Sequence, residues 1–182
     1  MGIQIVCLGN ELAKDDGVGL QIGRVLGRLP LPSGVEVVLR AELGFELLDI
    51  LNQACQVILV DAVCTGAPPG TCLVLEEAAL AELAAPIVSS HGIDVAELIE
   101  VARRLSPQRE IARVCCVGVE AESFAPYCCG LTQAVKAALP RAVELVLRLI
   151  GAPPALIELG RAQCESALTC SEKPAGTGGA VD

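Results

Sequence analysis

The chain has 182 residues, with 13 Lys and Arg against 22 Asp and Glu, a formal charge of −9, a 53% apolar fraction, and one His beside 10 Cys. That length suits one domain with a real core, and the apolar fraction excludes a disordered chain. The acidic balance argues against a general nucleic-acid or anionic-membrane binder, and a single His excludes every metal or catalytic scheme that needs two.

Ile3–Leu8 is a short apolar run stopped by Gly9-Asn10, which reads as a buried strand. No basic region precedes it, and acids follow it too soon for a signal peptide. No apolar run nears the roughly 20 residues of a membrane span, so the expectation is a soluble, cytoplasmic protein without membrane insertion. From Gly17 the spacing of Val18, Ile22, Val25, Leu26 and Leu29 predicts a helix, closed by Pro30 and Pro32. Val35–Leu39 is a second strand, and Phe45 to about Asn52 an amphipathic helix. Gln56–Asp61 reads as a central parallel strand ending on an acid, and Thr71–Leu75 as a further strand. Helices are expected at Glu76–Leu83 and Ile93–Leu105, then a strand at Ile111–Val119 and a long helix at Thr132–Ile150 loosened at Pro140.

Strands alternating with helices predict an α/β three-layer sandwich, a mostly parallel sheet of about five strands with helices on both faces. The folded domain is placed at 1–155. Residues 156–182, rich in Ser, Thr, Gly and Ala, are expected to form a flexible, disordered tail. The cysteines show neither C-x-x-C nor a metal-knuckle spacing, and several sit in apolar runs, where Cys behaves as a small hydrophobe. Cys115 and Cys116 should point to opposite faces of a strand, so they are read as reduced thiols. Cys128 and Cys129, near a loop, keep a redox or metal role open.

In open α/β sheets, sites form beyond the carboxyl ends of strands. Three polar stops fall there: Gly9 to Gly19 with Asp15-Asp16, Asp61, and the Ser89-Ser90-His91-Gly92 loop. A dinucleotide fingerprint fails because Glu11 and Lys14 stand where glycines are required, and the P-loop lacks its Gly-Lys-Ser/Thr. Each polar stop has an ordinary structural explanation when taken singly. Asp15-Asp16 reads as a helix cap, Asp61 as a cap or turn former, and His91 as a loop residue. Together, two carboxylates and an imidazole suit Zn²⁺, Ni²⁺ or a similar ion, with positions left open for substrate or water. A Ser-His-Asp triad is the weaker alternative, since Ser89 and Ser90 adjoin His91 and no G-x-S-x-G elbow exists.

These motifs, in this order, resemble the nickel–iron hydrogenase maturation proteases, also called hydrogenase-processing endopeptidases. The residues concerned are Gly9-Asn10, then Asp15-Asp16-Gly17-Val18-Gly19; Val60-Asp61-Ala62; Ser90-His91; and Val117-Gly118-Val119-Glu120 with Glu122-Ser123 and Gly130-Leu131-Thr132. The resemblance implies a twisted, mixed sheet and one cut near the C-terminus of a hydrogenase large-subunit precursor, after nickel insertion. Asp16, Asp61 and His91 fall on the family's metal-contacting positions. The nickel is supplied by the precursor and serves as the recognition element; no organic cofactor is implied.

The loop after the second strand departs from the family pattern Asp-Gly-Gly-Thr-x-Gly: here it is Leu39-Arg40-Ala41-Glu42-Leu43-Gly44, with its acid gone unless Glu42 substitutes. The chemistry implied is metal-assisted hydrolysis with water as the attacking group, and Asp15 is either a helix cap or a carboxylate that orients that water. Two alternatives stand beside it: a non-catalytic module or chaperone that holds the nickel-loaded precursor, and a generic metal-dependent peptidase.

Overall fold

The computed structural model describes residues 2–82, 95–108 and 110–170. Five strands, β1 (Ile3–Leu8), β2 (Val35–Arg40), β3 (Gln56–Val63), β4 (Cys72–Glu76) and β5 (Arg113–Glu120), form one sheet in the order β2-β1-β3-β5-β4. All neighbours are parallel except β4, which runs antiparallel to β5 at the edge. This is the mostly parallel, mixed sheet that the sequence predicts. The helices are α1 (Val18–Leu26), α2 (Glu46–Gln53), α3 (Glu77–Glu82), α4 (Val95–Leu105), α5 (Gln133–Leu149) and α6 (Pro154–Cys170).

Strand alternation sorts the core into two halves. Ile5, Cys7, Ile58, Val60, Cys115 and Val117 face α1, α5 and α6. Val6, Leu8, Val57, Leu59, Val114 and Cys116 face α2, α3 and α4. The neighbours Cys115 and Cys116 therefore lie in opposite core halves, as the period of two requires. Nine of the ten cysteines, Cys7 through Cys164, are free thiols. Among those residues no helix is long and apolar enough to cross a membrane.

Helix α1 lies directly on the sheet because Gly19 has no side chain. A Cβ there would run into the backbone carbonyl oxygens of Leu8 and Val60. This close approach fixes where the segment preceding α1 must sit, at the carboxyl ends of β1 and β3.

Two expectations need correction. Residues 156–170 are not a disordered tail: Pro154, at the first helical position, starts α6, whose Leu156, Ile157 and Cys164 are buried. That spacing is helical, and Gly160 lets α6 press on Val143 and Leu147 of α5. The small and polar residues that give the segment its tail-like composition occupy much of the rest of the helix. Positions 171–182 of the expected tail lie outside the described residues. The central strand also does not stop at Asp61. It continues to Val63, with Asp61 in register with Gly118 of β5.

Candidate functional site

The chain leaves β1 for β2 on one side and reaches β3 on the other, so the strand order reverses between β1 and β3. The crevice at the carboxyl ends of such a pair is the usual ligand site of an open α/β sheet. Asp16 and Asp61 both sit there.

Asp16 is carried on a single 3-10 turn, Lys14–Gly17, between β1 and α1. Gly9 makes this possible: its φ is +138°, and a Cβ would collide with the carbonyl oxygen of Asp16. Only glycine lets the loop fold back over the end of β1. The Asn10 side chain accepts the Leu12 N–H at 2.9 Å, an Asx turn that opens the loop. Asp16 itself is buried.

Asp61 has no solvent exposure. One carboxylate oxygen, Oδ1, accepts the Ala62 N–H at 2.8 Å, while Oδ2 has no hydrogen-bond partner among the described residues. Burial pushes its pKa well above the ordinary aspartate value; the Ala62 N–H opposes that, and the nearby Asp16 charge adds to it. An orphaned buried carboxylate oxygen is costly unless something pairs with it. The donor set fits a cation held by two carboxylates and one further ligand.

His91, with the Ser89-Ser90 loop, lies outside the described residues. The structure thus brings together Asp16 and Asp61 of the three expected residues. Among the described residues no group of three or more His, Cys, Asp and Glu side chains is arranged to hold a metal ion. Glu42, considered as the substitute acid of the 39–44 loop, is exposed.

Asp15 is neither a cap of its own helix nor a free carboxylate. The turn it belongs to and α1 both lack a side-chain cap bond. Its Oδ2 accepts the N–H groups of Glu122 and Ser123, each at 3.0 Å, and the Thr132 hydroxyl at 2.9 Å. Its Oδ1 accepts the Thr132 N–H at 2.6 Å, and its own N–H donates to the Ser123 carbonyl at 3.1 Å. Four donors converge on this fully buried carboxylate, three on Oδ2 and one on Oδ1. Asp15 is the brace that ties the loop of Asp16 to the loop between β5 and α5.

Glu120 performs a similar task that sequence reading missed. Buried at the end of β5, its carboxylate accepts the Thr65 N–H and hydroxyl and the Gly66 N–H, at 2.8 to 3.0 Å. It thereby holds the chain as it leaves β3. Nothing local to Glu120 points to this, since its partners are 54 and 55 residues away.

The buried cysteines near the site are poor nucleophiles. Burial, with a smaller effect of the Asp61 charge, pushes the Cys7 thiol up to about 12 and Cys116 well above its ordinary value. A thiol held neutral is unreactive.

Comparison with known proteins identifies the family and the fold. A family model described as hydrogenase maturation protease matches residues 28–149. Protein FrxA of Pyrococcus furiosus is 35% identical over 140 residues, covering 75% of this chain and 96% of that protein. The hydrogenase expression/formation protein HoxM of Cupriavidus necator is 29% identical over 163 residues, 86% of this chain and 80% of that one. Among solved structures, the hydrogenase maturating endopeptidase HybD from E. coli superposes with a TM-score of 0.70 at 29% identity, over 82% of this chain and 92% of that one. The NiFe hydrogenase maturation protease HybD from Thermococcus kodakarensis gives a TM-score of 0.63 at 28% identity, over 82% and 99%.

Proposed function

This chain belongs to the hydrogenase maturation protease family, and from that premise we propose that it removes the C-terminal extension of a nickel–iron hydrogenase large-subunit precursor once nickel is in place. Processing endopeptidase is the activity of the family. The nickel dependence and the position of the cut are the finer reading.

The observation that carries this reading is Oδ2 of Asp61, which has no hydrogen-bond partner among the described residues and is buried beside Asp16 at the strand-order reversal. A buried carboxylate oxygen with no donor among the described residues is poised to take a cation. Asp16, Asp61 and His91 are the residues proposed to hold the precursor's nickel, and Val95, four residues beyond His91, is buried on the face of the sheet that carries Leu59 and Asp61. Because the nickel arrives with the substrate, an unloaded precursor has nothing for the pair of carboxylates to grip. Nickel so held would act as a Lewis acid toward the scissile carbonyl. Water is the attacking group, since Cys7 and Cys116 are held as neutral thiols and Asp15 is engaged elsewhere.

The test compares nickel-loaded and nickel-free precursor by mass spectrometry, with Asp16→Ala, Asp61→Ala and His91→Ala alongside. The wild-type chain should shorten only the loaded precursor, and each variant should leave it intact. Equal cleavage of nickel-free precursor, or unimpaired variants, would overturn the proposal. Stable capture without mass loss would favour the non-catalytic binding module instead.

A further inference from the structure

Two loops frame the carboxylate pair: residues 9–17 after β1, and residues 121–132 between β5 and α5. They run side by side, the Lys14 N–H donating to the Cys128 carbonyl at 2.8 Å and the Cys128 N–H to the Leu12 carbonyl at 3.0 Å. Between them lies a cleft of about 350 Å³, walled by Leu12, Lys14, Gly17, Cys129, Gly130 and Leu131. Neither Asp16 nor Asp61 lines it, but Gly17 is covalently next to Asp16. A peptide whose scissile carbonyl reaches the carboxylates would pass Gly17 and continue into this cleft.

Folding alone does not explain what the two loops display. Leu12 is 56% exposed and Tyr127, which precedes Cys128, is 92% exposed. Exposed apolar residues scattered singly mean little, yet Leu12 lines the cleft, and its backbone hydrogen bond with Cys128 sets Tyr127 one residue from that contact. Lys14 and Tyr127 are also the two non-glycine residues among those described whose backbone is left-handed, with φ of 55° and 59°. Strain of this kind persists where the surroundings enforce it, and it gathers at ligand clamps. Of the charged residues that line the cleft, Glu11 is taken up by Arg24, and Lys14 has no ion-pair partner among the described residues.

We propose that this cleft is the docking groove for the precursor segment next to the scissile bond, an extended peptide whose large apolar side chain seats between Leu12 and Leu131 and is covered by Tyr127. This assignment rests on the maturation-protease reading above and deepens it. A basic side chain at the seated position would face Lys14 and be rejected.

The experiment uses the full-length protein, nickel-loaded precursor, and a fluorescent synthetic peptide spanning the precursor's cleavage region. Leu12→Ser should raise both the KM for cleavage and the Kd for the peptide about tenfold, the loss of one apolar anchor, with kcat nearly unchanged. Tyr127→Gly separates docking from folding. Glycine relieves the left-handed backbone, so Tm should rise while peptide affinity falls. Unchanged peptide affinity in these two variants would overturn the groove, as would a wild-type chain that does not bind the peptide. Weakened binding in both variants with no cleavage by any form upholds the groove and refutes the endopeptidase reading. Nickel-dependent cleavage with an unaffected KM upholds that reading and refutes the groove.

Discussion

Replacing Asp15 by alanine removes both oxygens that accept the N–H groups of Glu122, Ser123 and Thr132 and the Thr132 hydroxyl. Hydrogen bonds to a charged partner contribute ~1.5–3 kcal/mol each, and the donors here are half-buried, so water recovers part of the loss. The expected destabilisation is ~3–6 kcal/mol, a large share of the ~5–15 kcal/mol that holds a typical domain. Urea unfolding followed by circular dichroism measures it from the midpoint and slope. Thr132→Ala removes only the hydroxyl bond and should cost ~1 kcal/mol. In the double variant that cost should vanish, because the acceptor is already gone. If Asp15→Ala does not fold, Asp15→Asn keeps one oxygen for the three Oδ2 donors and sets its amide against the Thr132 N–H, for a loss of ~2–3 kcal/mol. A loss of ~1 kcal/mol or less for Asp15→Ala would match an ordinary helix cap and refute the brace.

Gly19→Ala should cost about 3 kcal/mol by denaturant titration, because its Cβ meets the rigid Leu8 and Val60 carbonyls. Gly23→Ala, one turn later, meets Cβ and Sγ of Cys7 at 2.9 Å, a less severe overlap than with the two carbonyl oxygens, and should cost less; equal losses would contradict the close-packing account. Asp61→Asn removes the penalty of burying a charge, so thermal melting at neutral pH should occur no lower than in wild type, while precursor cleavage is lost; a large drop in Tm would show that the charged form supports the fold. Glu144, with Arg148 at 2.8 Å and Arg141 at 3.1 Å, has its pKa lowered, chiefly by the hydrogen bond from Arg148. Its stabilising contribution is complete above the ordinary glutamate value of 4.5 and is lost as pH falls through the lower native value. Tm curves of wild type and Glu144→Gln should therefore converge below pH 4.5, and parallel curves would refute the pairing.

The sequence by itself determined the order and kind of the elements from β1 to α5. Apolar runs such as Gln56–Val60 and the helical spacing of Val18, Ile22, Val25 and Leu26 allow few other conformations. It also marked the glycine and acid positions around the site, because a backbone approach like that of Gly19 admits no side chain and must be written as glycine. What it left open depended on contacts between distant parts of the chain. Composition made residues 156–170 look like a tail, whereas Gly160 and three buried apolar residues make them a helix against α5. The polar stop after Val60 looked like a strand end, yet Asp61 lies inside β3 because pairing with β5 continues for two more residues. Asp15 and Asp16 are indistinguishable as neighbours in sequence. Tertiary structure assigns one to donors 107 to 117 residues away and the other to the crevice of Asp61. That division follows from the 3-10 turn, which directs two successive carboxylates toward different neighbours, and no local pattern encodes which neighbours those are.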